Sequence, residues 1–445
     1  MSGDEPGATP PPTTRSLART IPLALVVGVL SALTLLGLSE LAEAIQRGVW
    51  DALPQAWGLT DADGDVPSWW ILAVLTVTGL LVGATVRWMP GHAGNDPAAT
   101  GLVAPPIPIA WVPGLAVALV LGLAGGVSLG PENPIIAINV ALAAWIVARP
   151  RAARSGVHGP QAAVTLATAG TIGALFATPV AAVLILTETF AERGSNGTPL
   201  FDRLFAPLVA ASAGAMTMML LGSASFAIDL PAYSDPSAWD IVSGAAVALC
   251  AALVALLGAL AMPALHRAFH ALRHPVVALG AGGVVLGVLG MLGGEISLFK
   301  GLAQMQELAQ TADERTWYGI ALLAVIKMAA LVVAAAAGFR GGRIFPTVFI
   351  GVAVGLAASS LVPAVPVEVA VGAGVLGAVI VVDRDGWIAL FMAAVVVSDV
   401  QLLPLLCLIL VPVWLAVRRL PQLLVAPTPG VPEFAALGTA PSGRG

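Results

Sequence analysis

Glu132 lies within an apolar stretch of the chain and stands between two prolines, Pro131 and Pro134. Proline fits the first turn of a helix, so this position predicts a helix start. The amides of a first turn have no acceptor within their own helix, and the helix dipole helps them attract anions. An ionised Glu132 would fill such an anion site, whereas a protonated or displaced one would admit an external anion. We therefore predict that Glu132 gates an anion site; the alternative is a glutamate that merely caps its own helix.

A second glycine-rich break, residues 338–346, has the same properties. Gly341 and Gly342 permit close approach of the backbone, and the proline that ends the break predicts another helix start. Arg340 and Arg343 add positive charge beside it, which favours an anion over a cation. The alternative is that the two arginines pair with acidic loop residues or lipid headgroups.

A third break, residues 91–97, reads Gly-His-Ala-Gly-Asn-Asp-Pro. Asp96 before Pro97 is typical of a helix N-cap. The break is therefore predicted to be either a third helix start facing the same pathway or an ordinary capped loop.

The composition limits the class of protein that carries these breaks. Of 445 residues, 58% are hydrophobic and only 10% are charged, whereas soluble domains are about 25% charged. The balance of 20 basic and 25 acidic residues excludes the basic face that nucleic-acid binding needs. Long apolar runs without alternation favour a polytopic helical membrane protein over a β-barrel.

About eleven apolar segments are long enough to enter a bilayer. They lie near residues 21–38, 68–88, 113–148, 162–191, 204–222, 240–265, 275–292, 317–337, 344–362, 367–382 and 387–416. Breaks inside such segments are tolerated only within protein or beside water, and they place helix ends where a substrate passes. This pattern favours a transport protein.

An internal repeat divides the membrane region. Gly126 and Gly130 align with Gly338 and Gly342 at one common spacing. We predict a first membrane repeat over residues 17–225 and a second over 238–420, flanked by disordered tails at 1–16 and 421–445, with no soluble regulatory domain. Basic residues beside the first and last segments place both termini in the cytoplasm; they are Arg15, Arg19, Arg418 and Arg419.

These motifs resemble those of the CLC chloride channel and transporter family. Residues 128–134 are similar to its GREGP motif, residues 341–346 to its GGIFAP motif, and residues 169–184 to its GxxAGLAAAFNAPLAGxLF helix. The resemblance is strongest to a bacterial subfamily of ion-transport proteins that share GHAGxDPA, GGVSLGPE and GFRGGRIFP. It implies an all-α CLC-type fold of two inverted repeats with broken helices meeting at the membrane centre. It also implies a homodimer in the bacterial inner membrane, with one pathway for chloride or another small anion in each subunit.

On this resemblance Glu132 takes the place of the family's external gating glutamate. The residues expected to bind the anion come from the three breaks and are Gly94, Asn95, Asp96, Gly130, Pro131, Asn133, Gly342, Arg343, Ile344 and Phe345.

The chain also departs from the family pattern. The break at 91–97 lacks the family's chloride-binding serine, and the family's central tyrosine has no counterpart. Thr189 aligns with the inner glutamate that relays protons in family antiporters, and a threonine does not relay protons as a glutamate does. Passive anion conduction is therefore the preferred function. A proton-coupled antiporter, with Glu188 as the relay, is the alternative. An intramembrane enzyme is disfavoured because no histidine or paired acid lies near Glu132 or Glu188 in the sequence.

The remaining polar and sulfur-containing residues receive structural interpretations. Lys327 is expected to be a partner for a buried carboxylate or part of a vestibule, and residues 383–385 a self-paired turn. His266, His270 and His274 repeat at helical spacing that could bind a metal. A basic loop at the membrane surface is preferred, so no metal and no cofactor are predicted. Two lone cysteines in apolar runs are expected to be buried; they are Cys250 and Cys407.

Overall fold

A computed structural model describes residues 13–61, 64–102, 106–148, 160–192, 198–222, 226–234 and 236–425. The described residues form sixteen α-helices. The first eight are α1 (Thr14–Arg47), α2 (Leu53–Ala56), α3 (Ser68–Trp88), α4 (Val112–Ala124), α5 (Glu132–Val147), α6 (Pro160–Leu175), α7 (Pro179–Glu192) and α8 (Leu200–Leu221). The other eight are α9 (Ala238–His270), α10 (Pro275–Gly293), α11 (Leu302–Gln310), α12 (Trp317–Ala337), α13 (Ile344–Leu361), α14 (Val367–Asp383), α15 (Gly386–Val397) and α16 (Leu403–Val417).

The described part of the chain contains eight candidate membrane spans, counted by helix length and apolar composition. The expectation of a polytopic helical membrane protein is therefore confirmed. Helix α1 begins at Thr14, inside the stretch expected to be a tail, and residues 1–12 lie outside the described residues. Of the second tail, residues 426–445 also lie outside them.

The breaks predicted within the apolar segments are confirmed. The segment at 113–148 divides into α4 and α5, and α12 is separated from α13 by residues 338–343. The segment at 162–191 also divides, into α6 and α7. A further break was missed in the last segment, where α15 ends at Val397. The next residue, Ser398, has a left-handed φ of 58° that no helix interior tolerates. Serine carries no strong sequence signal for that conformation.

Contacts divide the chain into two units. The first consists of residues 1–38, 105–109 and 135–224, and the second of residues 39–104, 110–134 and 225–445. These units do not test the predicted repeat boundaries, which stay a prediction.

Small residues bring the helices of each unit close together, as is usual inside membranes. In the first unit, a Cβ atom at Gly173 of α6 would lie 2.2 Å from the carbonyl oxygen of Ala211 in α8. In the second unit, a Cβ atom at Gly79 of α3 would lie 2.2 Å from the carbonyl oxygen of Leu279 in α10. Side chains larger than hydrogen at these glycines would separate the helices.

Helices α13 and α14 form the centre of the second unit. Every residue of α14 from Glu368 to Val382 is buried, and so is α13 from Ile344 to Ala353. Both helices are apolar on all sides, as expected of helices that are surrounded by protein or lipid. The start of α13, which contributes to the site described below, is therefore enclosed by other parts of the chain.

The two cysteines were predicted to be buried, and this was wrong. Cys250 on α9 and Cys407 on α16 are both exposed on the single chain. The outward face of a membrane helix is itself apolar, so an apolar sequence context does not distinguish a packed position from one that faces lipid.

Candidate anion-binding site

Two of the predicted breaks meet in the second unit. Gly130 and Gly342 form an antiparallel bridge, in which the amide of Gly130 lies 2.9 Å from the carbonyl oxygen of Gly342. The reciprocal bond, from the Gly342 amide to the Gly130 carbonyl oxygen, measures 2.6 Å. These are the glycines that the internal repeat aligned. The repeat's other aligned pair, Gly126 and Gly338, both adopt left-handed conformations, with φ of 86° and 95°.

Glu132 begins α5 directly after this bridge and is fully buried, with 0% of its surface exposed. Its Oε1 atom accepts a hydrogen bond of 2.8 Å from the backbone amide of Phe345. Phe345 is the second residue of α13, so its amide is one of those that a helix start leaves without an acceptor. The carboxylate of one broken helix thus occupies the anion-attracting end of the other.

The second carboxylate oxygen of Glu132, Oε2, is buried and has no hydrogen-bond partner among the described residues. It lies over the two bridging glycines. A Cβ atom at Gly342 would lie 2.0 Å from Oε2, and one at Gly130 would lie 2.1 Å from it. Glycine is required at both positions to leave room for the carboxylate.

The two arginines of the second break are buried and bind backbone carbonyl groups. Arg340 donates from Nε to the carbonyl of Ala93 at 2.9 Å and from Nη2 to that of His92 at 2.8 Å. Arg343, the N-cap residue of α13, donates to the carbonyls of Thr100 and Leu423. The alternative interpretation was that these arginines pair with acidic loop residues or lipid headgroups. The hydrogen bonds described here are made to backbone carbonyl groups instead. Both arginines tie the second break to residues 92–100.

The remaining residues of the first break contact the same loop. The Nδ2 atom of Asn133 lies 3.4 Å from the carbonyl oxygens of Thr100 and Gly101. Pro131 is buried next to Glu132, and Ile344 is buried next to Arg343. The structure therefore brings seven of the predicted residues together at the start of α5 and α13: Gly130, Pro131, Asn133, Gly342, Arg343, Ile344 and Phe345.

The third break does not start an α-helix, so of its two predicted forms the structure shows the capped loop. The described residues after Pro97 form turns, and the next α-helix begins at Val112. The Oδ1 atom of Asp96 caps a turn by accepting from the amide of Ala98 at 2.9 Å, while Oδ2 lies 2.8 Å from Nε2 of His266. Both carboxylate oxygens therefore have partners. Gly94 is buried and Asn95 is exposed. That Gly94, Asn95 and Asp96 bind an anion stays a prediction.

The proton-relay candidates lie on α7, in the first unit. Glu188 and Thr189 are both half-buried. The hydroxyl of Thr189 donates to the carbonyl of Ile185 at 3.0 Å, one turn back in the same helix.

Two charged groups were assigned the wrong partners. Lys327 is fully buried, and its Nζ atom donates to the carbonyls of Ser297, Leu298 and Phe299 at 2.9, 2.5 and 2.8 Å rather than to a carboxylate. Arg384 donates to carbonyls at the end of α16 rather than to its neighbouring aspartates. Every residue has a backbone carbonyl group, so the sequence does not show which carbonyl groups a charged side chain will contact.

An all-helical membrane fold in which two helix starts meet around a buried glutamate is the arrangement of an anion-transport protein. Comparison with known proteins identifies the family to which the chain belongs. The sequence model of the family described as "Voltage gated chloride channel" matches residues 78–416. The chain is 49% identical over 405 residues to a protein of Escherichia coli O6:H1 named "Putative ion-transport protein YfeO", a match that covers 90% of this chain and 94% of the relative. The chain therefore belongs to the voltage-gated chloride channel (CLC) family.

Solved structures confirm the CLC-type fold. A CLC-type fluoride/proton antiporter superposes with a TM-score of 0.71 at 19% identity, over 93% of this chain and 98% of that one. A slow cyanobacterial chloride/proton antiporter gives a TM-score of 0.69 at 16% identity, over 92% and 96% of the two chains. At these identities the likeness establishes the fold.

Proposed function

We propose that the protein conducts chloride or another small anion through one pathway in each subunit, and that Glu132 is the gate. The hydrogen bond between Glu132 Oε1 and the Phe345 amide carries this proposal. A negatively charged group already holds the helix start that would attract a permeating anion. The anion and the carboxylate therefore compete for the same amide.

Opening then requires Glu132 to leave the amide of Phe345. Protonation removes the negative charge that makes this hydrogen bond strong, and an arriving anion replaces the carboxylate as acceptor. Because the bridge between Gly130 and Gly342 is made by backbone atoms, both helix starts stay in place when the side chain moves.

We propose passive conduction rather than exchange for protons. The hydroxyl of Thr189 is bonded within its own helix and carries no proton that is released near neutral pH. The alternative is an anion/proton antiporter with Glu188 as the relay. Both superposed structures are anion/proton antiporters, which supports that alternative.

The setting of the pathway is also a proposal. Arg15 and Arg19 at the start of α1, with Arg418 and Arg419 after α16, favour cytoplasmic placement of both ends of the membrane region. We propose a homodimer in the bacterial inner membrane, as the family resemblance implies.

Chloride efflux from proteoliposomes, recorded with a pH electrode in the same chamber and with valinomycin clamping the voltage, tests the function. Passive conduction predicts chloride efflux without proton movement in a fixed ratio. Proton uptake in a fixed ratio to chloride supports the antiporter instead. A panel of fluoride, chloride, bromide and nitrate identifies the preferred anion, and absence of flux for every anion contradicts the proposal.

A further inference from the structure

Three side chains of metal-binding type converge beside the loop at 90–97. His266 and His270 lie one turn apart near the end of α9, and Asp96 reaches them from the loop. The Oδ2 atom of Asp96 lies 2.8 Å from Nε2 of His266 and 3.6 Å from Nε2 of His270. One ligand atom from each residue lies within 4.8 Å of the other two.

The spacing suits a small tetrahedral ion. Zinc binds nitrogen and carboxylate oxygen at about 2.0–2.2 Å, which places neighbouring ligand atoms roughly 3.3 Å apart. The two measured separations lie on either side of that value. Both Nε2 atoms lie near Asp96, but the imidazole rings are stacked, with their centroids 3.8 Å apart and 28° between their planes. One ring must therefore turn before both Nε2 lone pairs point at a single ion. Rotation of the His266 ring, which opens its contact with Asp96, admits the ion.

Neighbouring backbone groups orient two of the three ligands. The Nδ1 atom of His270 lies 2.9 Å from the carbonyl oxygen of His266, and in the neutral tautomer with a proton on Nδ1 the Nε2 lone pair is directed to the cluster. The amide of Ala98 holds Oδ1 of Asp96, which fixes the direction of Oδ2. Such supporting hydrogen bonds are the usual way in which proteins position metal-binding histidines and carboxylates.

The cluster is enclosed but reachable. The exposed fractions of the side chains are 11% for His266, 6% for His270 and 13% for Asp96. Arg340 opposes a cation by its charge, but it also fixes the loop by donating to the carbonyls of His92 and Ala93. Low exposure and a braced loop reduce the entropy that the ligands lose when they bind.

We propose that Asp96, His266 and His270 form a binding site for a divalent transition metal of the zinc type. Two imidazoles and one carboxylate are the donors that such ions accept, with a water molecule completing the coordination. The ion would lie between His266 and Asp96 and would hold the loop at 90–97 against the end of α9. The proposal holds for a channel and for an antiporter alike, because binding is measured without transport.

Sequence reasoning did not find this site because it placed the histidines in a surface loop. Their helical spacing was visible, but the third ligand lies 170 residues earlier in the chain, as the contact between Asp96 and His266 shows. Histidines at this spacing without a carboxylate are a weak metal signal.

Cobalt(II) and zinc(II) binding to the purified full-length protein in detergent tests the proposal. The affinity tag must be removed and the protein stripped of metal by a chelator. We expect one cobalt ion per chain with the strong visible absorption of tetrahedral coordination, and displacement of that absorption by zinc. His270→Ala and Asp96→Asn each should weaken binding about tenfold or more. His274→Ala is the matched control, because His274 is exposed at the start of α10 and lies outside the cluster.

Thermal unfolding provides a second readout that does not depend on absorption. Zinc should raise the midpoint temperature of the wild type and of His274→Ala, but not that of His270→Ala. Gel filtration shows whether each variant is folded. Failure of the wild type to bind cobalt tetrahedrally overturns the proposal, and so does binding that survives both His270→Ala and Asp96→Asn.

Discussion

The carboxylate of Glu132 accepts a hydrogen bond from the backbone amide of Phe345 at 2.8 Å, which joins the starts of two helices from opposite halves of the chain. The contact is buried, and it places a negative charge where an anion would bind. Under the proposed function this contact is the closed state of the gate, and each change to it predicts a change in anion flux.

Removal of the gate should increase flux. Glu132→Ala eliminates the carboxylate and leaves the Phe345 amide available to the permeating anion. A hydrogen bond to a charged group contributes about 1.5–3 kcal/mol, so chloride efflux should rise roughly tenfold or more. Glu132→Gln should give a smaller increase, because its neutral amide still accepts the hydrogen bond but more weakly.

Glu314→Gln is the control for the two Glu132 variants, since Glu314 is an exposed acid before α12. Its efflux should equal that of the wild type. Unchanged or reduced flux in Glu132→Ala, with normal expression and a normal gel-filtration profile, would contradict the assignment of Glu132 as the gate.

A methyl group at Gly342 should act on the same gate from the other side. The Cβ atom of Gly342→Ala would lie 2.0 Å from Oε2 of Glu132, so the carboxylate must leave its position. We expect increased chloride efflux, as in Glu132→Ala. Because both changes displace one group, the double variant should show no more flux than Glu132→Ala alone. Gly386→Ala is the matched control, because a Cβ atom there meets no atom within 4 Å. Additive effects of the two changes would show that Gly342 acts on something other than the carboxylate.

The residues around Glu132 were predictable because their signal is local. Proline at a helix start and glycine at a close approach are properties of a few neighbouring residues, and the internal repeat showed that Gly130 and Gly342 belong together. The resemblance to a family then supplied the fold. The second break predicted that amides at the start of α13, including that of Phe345, would attract an anion. It did not indicate which of these amides Glu132 would contact, because every residue except proline has one.

Some contacts could not be predicted from the sequence. In each of them the partner is either distant in the chain or a backbone group, which no residue type identifies. The sequence correctly predicted that Asp96 caps the chain after it, but Asp96 caps a turn and not a helix. Its second carboxylate oxygen contacts His266, which no sequence pattern indicated. Lys327 and Arg340 bind backbone carbonyls, and the sequence alone cannot show which carbonyls a fold leaves available. The prediction that the two cysteines are buried was also wrong for a physical reason, because lipid and the protein interior favour the same apolar residues.

Glu188 separates the two transport mechanisms. Under passive conduction, Glu188→Gln should leave chloride efflux within about twofold of the wild type, because the residue carries no proton in the transport cycle; substitutions at half-buried sites that lack a special role have small effects. Under antiport, the same change should abolish proton movement while chloride still flows. Parallel recording of chloride and pH distinguishes the two outcomes, with Asp202→Asn on α8 as a control acid of the same unit.

Lys327 should contribute to stability rather than to transport. Its ammonium group satisfies three buried carbonyl groups between α10 and α11, and it lies 5.2 Å from the centre of the Phe349 ring. Lys327→Met keeps the apolar stem but leaves three buried acceptors without a donor, which should cost about 3 kcal/mol and lower the midpoint of thermal unfolding by several degrees.

Lys300→Met is the matched control for Lys327→Met. Lys300 is partly exposed and makes a single 3.4 Å contact with Glu43, so its loss should change stability by less than about 1 kcal/mol. The comparison is made by thermal unfolding in detergent, followed by chloride efflux from the fraction that remains folded. If Lys327 were part of the anion pathway instead, its replacement would change anion selectivity in that folded fraction. A backbone role predicts that selectivity is unchanged, because the Nζ atom of Lys327 is held by the carbonyls of residues 297–299.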